Sequence, residues 1–183
     1  MFGPLMLTRA VLPRLRRARG RVVFISSING RVSFPFTGMY NASKYAIEAV
    51  ADCLRVELRP FGVQVALVEP GVIDTDPWHE MDQLIDELEA RLDPEHRALY
   101  TPHFAAERQL IAKLRKNAKP PERVAVAVER QLTRRRVRPR TLVGPDARTI
   151  LGMKALLPDR VLDAAWSQGI EGPATGAQPP LLS

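Results

Sequence analysis

Three consecutive segments of residues 21–70 decide the fold of this chain: RVVFIS (21–26), a long helical stretch (38–59) and VQVALVEP (63–70). The first and the last are unbroken apolar runs rich in β-branched residues, which is typical of strands buried on both faces of a parallel sheet. Apolar residues recur at helical spacing in the segment between them. The order strand, long helix, strand predicts a right-handed βαβ unit and the α/β class.

The helix over 38–59 is predicted to bury one apolar stripe against the sheet. Its members are Ala42, Ala46, Ala49, Val50, Cys53, Leu54 and Leu58. Cys53 lies on this stripe, so we expect a small core residue rather than a nucleophile. Because it is the only cysteine, no internal disulfide can form, which favours a reducing, cytoplasmic location.

Further elements flank this unit on both sides. Helices are predicted at 4–18, 77–100, 103–117 and 121–136, a third strand at 140–144, and one or two short helices between 146 and 168. We expect Pro13, Pro94 and Pro102 to kink or interrupt these helices. The pattern predicts a single domain over residues 1–170, followed by a disordered Pro/Gly-rich tail at 171–183.

The net charge of +7 is distributed in blocks along the chain. Residues 1–47 carry eight basic and no acidic groups, residues 48–100 carry four and thirteen, and residues 101–160 carry fifteen and five. Such alternation does not form one continuous basic face, so we expect no nucleic-acid partner. The arginines at 134–140 are typical of a solvated helix end.

Membrane and metal-binding classes find no support in the sequence. No stretch approaches the ~18 consecutive apolar residues of a membrane helix, and the N-terminus lacks the basic region of a signal peptide. His79, His96 and His103 lack the spacing of metal ligands.

The sharpest chemical constellation is Ser27, Tyr40 and Lys44. Tyr40 and Lys44 are four residues apart at the start of a helix, so they share one face. Ser27 follows the preceding strand, and ligands of parallel sheets bind at such strand ends. A tyrosine hydroxyl has an ordinary pKa of about 10, and a fixed ammonium nearby favours the phenolate. The serine hydroxyl can hold a substrate oxygen while the tyrosine transfers a proton.

Several co-linear motifs resemble the short-chain dehydrogenase/reductase family. They are LTRAVLP (7–13), GRVVFISS (20–27), YNASK (40–44) and VEPGVIDT (68–75), with thirteen residues from the serine to the tyrosine. The long helical insertion and the ending LVGPDAR…LLPDR resemble the branch of 17β-hydroxysteroid and retinol dehydrogenases.

The resemblance implies a role for each matching residue. Tyr40 would be the general acid/base, Lys44 would bind the nicotinamide ribose, and Ser27 would orient the substrate oxygen. Ser43 would be a supporting residue. The nicotinamide end of the cofactor would contact the segment that follows the second strand, namely Pro70, Gly71, Val72, Ile73 and Thr75.

The family's Gly-rich fingerprint, which cradles the cofactor's pyrophosphate, does not occur in this sequence. The resemblance therefore implies an incomplete Rossmann-type sheet of about three strands whose N-terminal nucleotide-binding half is missing. Met1 would fall inside a family helix, which favours a misassigned start or a truncated gene. The residue that distinguishes NAD from NADP belongs to that half, so the cofactor choice stays open.

Two classes of function remain open at this point. The first is an NAD(P)-dependent oxidoreductase that interconverts a lipophilic alcohol and a ketone or aldehyde, inactive as this chain alone. The second is a non-catalytic remnant or interaction module, with the helices at 4–18 and 38–59 as surfaces for a homo-oligomer. The apolar stripe of 78–92 is either a lid over an apolar substrate or ordinary core.

Overall fold

The structure, a computed structural model, describes residues 2–170, with the side chains of 77–79, 169 and 170 excepted. The predicted tail at 171–183 lies outside the described residues. The elements are α1 (Phe2–Ala18), β1 (Arg21–Ile25), α2 (Gly38–Glu57), β2 (Gln64–Pro70), α3 (Asp76–Arg91), α4 (Pro94–Asn117), α5 (Glu122–Thr133), β3 (Arg140–Val143), α6 (Pro145–Leu156) and α7 (Asp159–Ile170). Two short 3-10 helices lie at Ile28–Gly30 and Arg59–Phe61.

The three strands form one parallel sheet in the order β1-β2-β3. The register pairs Arg21 with Gln64 at the start of the first ladder, and Leu67 with Arg140 at the start of the second. The α/β class, with about three parallel strands and flanking helices, is therefore confirmed. Because all strands run the same way, the residues that follow β1 and β2 lie at one edge of the sheet.

The two faces of the sheet carry separate apolar clusters, since side chains alternate along a strand. One cluster joins the sheet to α2, and its buried members are Phe24, Ile47, Ala51, Leu58, Val63, Val65 and Leu67. The other lies on the α5 side and contains Val68, Ile73, Ala127 and Val143. β2 is the most buried strand, since six of its seven residues are buried.

The predicted stripe of α2 is confirmed for Leu58, which is buried, and for Leu54, which packs on the same cluster, but it is wrong for other members. The helix buries Asn41, Ile47, Glu48 and Ala51, whereas Ala42, Ala49 and Cys53 are exposed. The expectation that Cys53 is a core residue is thus wrong as well. The prediction listed apolar residues alone, whereas Asn41 accepts a hydrogen bond from Asn29 in the loop after β1 and Glu48 accepts one from Arg140 on β3.

Two other expectations differ from the structure. β1 is only partly buried, and its last residue, Ile25, is 53% exposed; within the described chain it pairs with β2 alone. Pro13 lies inside α1 and Pro102 lies inside α4, and neither ends its helix. Pro94 does separate α3 from α4, because it stands in the first turn of α4, where a missing N–H costs nothing.

The described chain divides into two compact units. The sheet unit comprises residues 1–73 and 119–156, and the helical unit comprises residues 74–118 and the chain from 157 onward. A single domain over residues 1–170 stays a prediction. Within the helical unit α3 packs on α4. None of the described helices combines the length and the apolar character needed to cross a bilayer.

The stripe predicted within 78–92 is mixed in its exposure. Ile85 is almost fully buried, whereas Leu84 and Leu88 are each about half exposed. A stripe that is exposed on part of its length is compatible with both a lid and a core, so both interpretations stay predictions.

Candidate active site

The candidate site lies in the sheet unit at the carboxyl ends of β1 and β2. Ser27 follows β1, Pro70 closes β2, and the first turns of α2 carry Tyr40 and Lys44. The sheet and the helix start therefore bring together residues that are far apart in the sequence.

Ser27 is buried and fixed by its own loop. Its backbone is extended, and its hydroxyl oxygen accepts a hydrogen bond from the Asn29 N–H at 3.2 Å, which caps the 3-10 helix. The hydroxyl lies 3.1 Å from Asn29 Oδ1 and 3.5 Å from the Pro70 carbonyl oxygen. The side chain thus lies between the ends of β1 and β2, and its hydroxyl group can rotate to donate a hydrogen bond to either acceptor.

Tyr40 and Lys44 lie together on the first two turns of α2. The Lys44 Nζ is 5.5 Å from the centroid of the Tyr40 ring, and it donates a hydrogen bond to the Ile25 carbonyl oxygen at 3.2 Å. Tyr40 is about half exposed, so its ring is open to a ligand. Burial lowers the pKa of Lys44, and the negative charge of Glu48 partly opposes that shift.

A pair of asparagines, of which Asn41 is buried, supports this helix start, and the sequence prediction missed it. Asn41 Oδ1 accepts a hydrogen bond from Asn29 Nδ2 at 2.8 Å and another from the Thr37 hydroxyl at 3.1 Å. Asn41 Nδ2 donates to the Phe34 carbonyl oxygen at 2.9 Å. The amide therefore ties the loop after β1 to the first turn of α2. An asparagine directly after the candidate tyrosine was the available clue.

The segment after β2 is held from behind by Asp146, a second residue that the sequence prediction missed. Asp146 Oδ2 accepts a hydrogen bond from the Val72 N–H at 2.7 Å. A Cβ atom at Gly71 would lie 2.0 Å from the same oxygen, and one at Gly144 would lie 2.2 Å from Oδ1. Gly144 also has a φ of +106°, which favours glycine. Both glycines thus make room for this carboxylate.

The remaining predicted residues occupy different places. The Ser43 hydroxyl donates to the Tyr40 carbonyl oxygen at 2.8 Å, so it supports the helix backbone. Thr75 directly precedes α3, is exposed, and belongs to the helical unit. Ser27, Tyr40 and Lys44 therefore lie at one strand edge within the sheet unit, to which Thr75 does not belong. The described side chains form no group of three or more that could hold a metal ion.

The segment after β2 offers one backbone N–H group that could bind the amide of a nicotinamide. Its Gly71 N–H donates to Val143 and its Val72 N–H donates to Asp146. The Ile73 N–H, in contrast, donates to none of the described residues. Lys44 supplies a hydrogen-bond donor at the same edge. These groups fit the nicotinamide half of a dinucleotide, whereas the sequence contains no Gly-rich turn for the pyrophosphate.

The sequence resembles several named dehydrogenases and reductases. Residues 1–85 match the family described as short chain dehydrogenase. The chain is 32% identical to 3-ketodihydrosphingosine reductase of Bacteroides thetaiotaomicron over 90% of its own length and 59% of that protein. It is 38% identical to retinol dehydrogenase 5 of Mus musculus over 94% and 56%, and 51% identical to 17-beta-hydroxysteroid dehydrogenase type 6 of Homo sapiens over 41% and 24%.

Solved structures give the same result for the fold. A short-chain dehydrogenase from Streptomyces avermitilis superposes with a TM-score of 0.64 at 28% identity, over 92% of this chain and 57% of that one. A short chain dehydrogenase from Burkholderia cenocepacia in complex with NADP gives 0.62 at 25%, over 91% and 55%. The chain spans somewhat more than half the length of these relatives. It is a member of the short-chain dehydrogenase/reductase family and resembles the retinol and steroid dehydrogenase branch.

Proposed function

We propose that this protein serves as an NAD(P)-dependent oxidoreductase that interconverts a lipophilic alcohol and the corresponding ketone or aldehyde. The observation that carries the proposal is the contact between Lys44 and Tyr40, 5.5 Å from nitrogen to ring centroid, at the same strand edge as the buried Ser27. A tyrosine beside a fixed cation and a serine hydroxyl are the groups that proton transfer to a carbonyl oxygen requires.

The residues divide the chemistry among them. Ser27 donates its hydroxyl proton in a hydrogen bond to the substrate oxygen and so orients it. Tyr40 gives a proton to that oxygen during reduction and takes it back during oxidation, with the Lys44 ammonium 5.5 Å from the centroid of its ring. The nicotinamide, when bound, supplies or accepts the hydride. Its amide would bond to the Ile73 N–H, and its ribose to Lys44.

A lipophilic substrate is supported by the relatives and by the helical unit. The relatives are named for retinol, for a steroid and for 3-ketodihydrosphingosine, which are all largely apolar molecules. Leu84 and Leu88 leave an apolar stripe about half exposed on α3. We propose this stripe as the surface that covers the apolar part of the substrate. A reducing, cytoplasmic location remains our proposal on the basis of the single cysteine.

A second candidate concerns these 183 residues by themselves. They match 59% of the length of 3-ketodihydrosphingosine reductase and 56% of that of retinol dehydrogenase 5, and they contain no Gly-rich fingerprint. We propose that the isolated chain does not bind NADH or NADPH productively and acts, if alone, as an interaction module through α1 and α2. Calorimetric titration of the purified chain with both nucleotides tests this. Stoichiometric, sub-millimolar binding would contradict it and favour activity of the chain as it stands.

The oxidoreductase itself is tested in a chimera. The part of mouse retinol dehydrogenase 5 that precedes its match to this chain is joined to residue 1, and oxidation of apolar secondary alcohols is followed through nucleotide absorbance. Tyr40→Phe is expected to lower kcat by about 10²–10⁴-fold with nucleotide affinity nearly unchanged. Tyr45→Phe is the matched control, because Tyr45 is a partly exposed tyrosine of the same helix. Equal turnover of the two variants would overturn the proposal.

A further inference from the structure

Two carboxylates are buried together behind the candidate site. Glu48 lies on α2 and is 5% exposed, and Glu69 lies on β2 and is fully buried. The Nε atom of Arg140 is 3.0 Å from Glu48 Oε2 and 3.1 Å from Glu69 Oε1. Both carboxylates therefore approach the same guanidinium nitrogen, which carries one hydrogen.

The neighbouring arginines leave several carboxylate oxygens of this pair without a hydrogen bond. Arg140 turns another nitrogen to Asp52 at 2.7 Å, and Arg31 is half exposed and reaches Glu69 only at 3.5 Å. Glu48 Oε1 and both oxygens of Glu69 are buried and accept no hydrogen bond from the described residues. A carboxyl group that keeps its proton would supply the missing donor, because a protonated carboxyl donates where a carboxylate only accepts.

Every element packed against the pair contributes a charged or polar group. Those groups are Lys44 and Asp52 from α2, Arg140 from β3, Arg31 from the segment after the first 3-10 helix, and the Ser26 hydroxyl after β1. Among the described residues, Arg31 and Arg140 lie within ion-pair distance of Glu48 and Glu69, and Arg140 is shared with Asp52, which also pairs with Arg55 at 2.6 Å. Because the buried carboxylates of Glu48 and Glu69 share Arg140, the form of the pair in which one carboxyl group is protonated is favoured over the form with two negative charges.

We propose that Glu48 and Glu69 share one proton near neutral pH, and that this carboxyl pair positions Lys44 relative to the strand ends. Glu48 is one helical turn beyond Lys44, and Glu69 directly precedes Pro70. The pair therefore connects the turn that carries the lysine to the strand that carries the segment 70–73. The positioning role rests on the function proposed above, whereas the shared proton does not.

Burial, followed by the negative charge of Glu48, raises the pKa of Glu69 to about 7. The pair therefore loses its proton near neutral pH. Above that pH two carboxylates face each other between α2 and β2, and the full negative charge of Glu48 acts on Lys44. The helix that carries Tyr40 is then held less firmly to the sheet.

The shared proton is tested on the full chain by carbon-13 NMR of its glutamate carboxyl groups. In the wild type we expect a titration near pH 7, which disappears in Glu69→Gln and moves to lower pH in Glu48→Gln, because the burial of Glu69 remains while the charge of Glu48 is gone. Glu57→Gln is the matched control, because Glu57 is an exposed glutamate of the same helix. If all glutamates of the wild type titrated near their ordinary pKa, the proposal would be overturned.

Urea denaturation gives a second readout, the dependence of the free energy of unfolding on pH. A raised carboxyl pKa stabilises the folded chain below the ordinary pKa of the group, and that stability is lost as the pH rises towards about 7. Relative to Glu69→Gln, the unfolding constant of the wild type should therefore rise by about tenfold per pH unit between pH 5 and 7. Parallel curves for the two proteins would contradict the shared proton.

The positioning role has its own measurement. Because the charge of Glu48 raises the pKa of Lys44, Glu48→Gln should lower the lysine's titration midpoint, read from its side-chain carbon-13 shift. Glu57→Gln should leave it unchanged. If the titration midpoint of Lys44 were unaltered in Glu48→Gln, the proposal that the carboxyl pair positions Lys44 would be contradicted. No cofactor or substrate is present in any of these measurements, so their failure is distinct from failure of the oxidoreductase proposal.

Discussion

Two sets of contacts attach α2 to its surroundings: an apolar half, made by side chains that pack on the sheet, and a polar half, made by buried polar side chains of the same helix that carries Tyr40 and Lys44. Ile47, Ala51 and Leu58 pack into the cluster with Leu67. Asn41 and Glu48 instead bond to the loop after β1 and to β3. One helix thus has two kinds of attachment along its length.

The difference has a physical consequence for the site. Apolar burial is non-directional, and its strength does not depend on pH. Hydrogen bonds and ion pairs fix the direction of each partner, but their buried atoms are costly when a partner is lost. We infer that the apolar half supplies most of the stability, and that the polar half sets the placement of the reactive side chains.

The largest effect is expected at the centre of the apolar half. Leu67→Ala removes a side chain that is 1% exposed on the central strand, and should lower the free energy of unfolding by about 4 kcal/mol through lost transfer energy and a cavity. Urea denaturation at pH 5 and pH 8 measures it. We expect the same loss at both values, and a strong dependence on pH would contradict the apolar assignment of this half.

Removal of the cation from the polar half comes next. Arg140→Met keeps an unbranched apolar stem but removes the guanidinium, which leaves Glu69 with the half-exposed Arg31 and takes away the ion pair of Glu48. We expect a loss of about 3 kcal/mol at pH 8, because uncompensated buried charge is strongly destabilising. At pH 5 the loss should be clearly smaller, since protonation removes that charge. Thermal and urea unfolding of both proteins at the two pH values would show it, and equal losses would oppose this explanation.

The two apolar strands were the part that the sequence predicted well. The runs at 21–26 and 63–70 predicted β1 and β2 because buried parallel strands need continuous apolar side chains. The polar half was mispredicted, since a stripe chosen by hydrophobicity excludes Asn41 and Glu48, whose partners lie 12 and 92 residues away. The candidate residues Ser27, Tyr40 and Lys44 came from motif spacing, while Asp146 and Asn29 required the fold.

A smaller effect is expected from the amide that fixes the helix start. Asn41→Ala breaks the bonds to Asn29 and to the Phe34 carbonyl. We expect a loss of about 2 kcal/mol, because Asn29 and Phe34 then lose a buried partner. Hydrogen exchange should show faster opening in the first turn of α2, with the turns around Ala51 unchanged. Uniform acceleration along the helix would mean that the two halves unfold as one.

The smallest effect is expected at the outer edge of the polar half. A hydrogen bond from Arg140 lowers the pKa of Asp52 below its ordinary value, and burial opposes the shift. A lowered carboxyl pKa contributes stability above the unfolded-state pKa, and that contribution is lost as the pH falls through the folded-state value. The Asp52 side chain is 41% exposed, so solvent screens the pair. Asp52→Asn should therefore cost less than about 1 kcal/mol at pH 7.

The same substitution separates the exposed carboxylate from the buried pair. The cost of Asp52→Asn should fade below pH 4, whereas the effect of Glu69→Gln changes between pH 5 and 7, because the two carboxyl pKa values are shifted in opposite directions. Urea denaturation of both variants from pH 3 to pH 8 measures the two windows. If both variants changed stability in the same pH window, Asp52 would be coupled to the buried pair of Glu48 and Glu69. The three carboxyl groups would then have to be treated as one cluster.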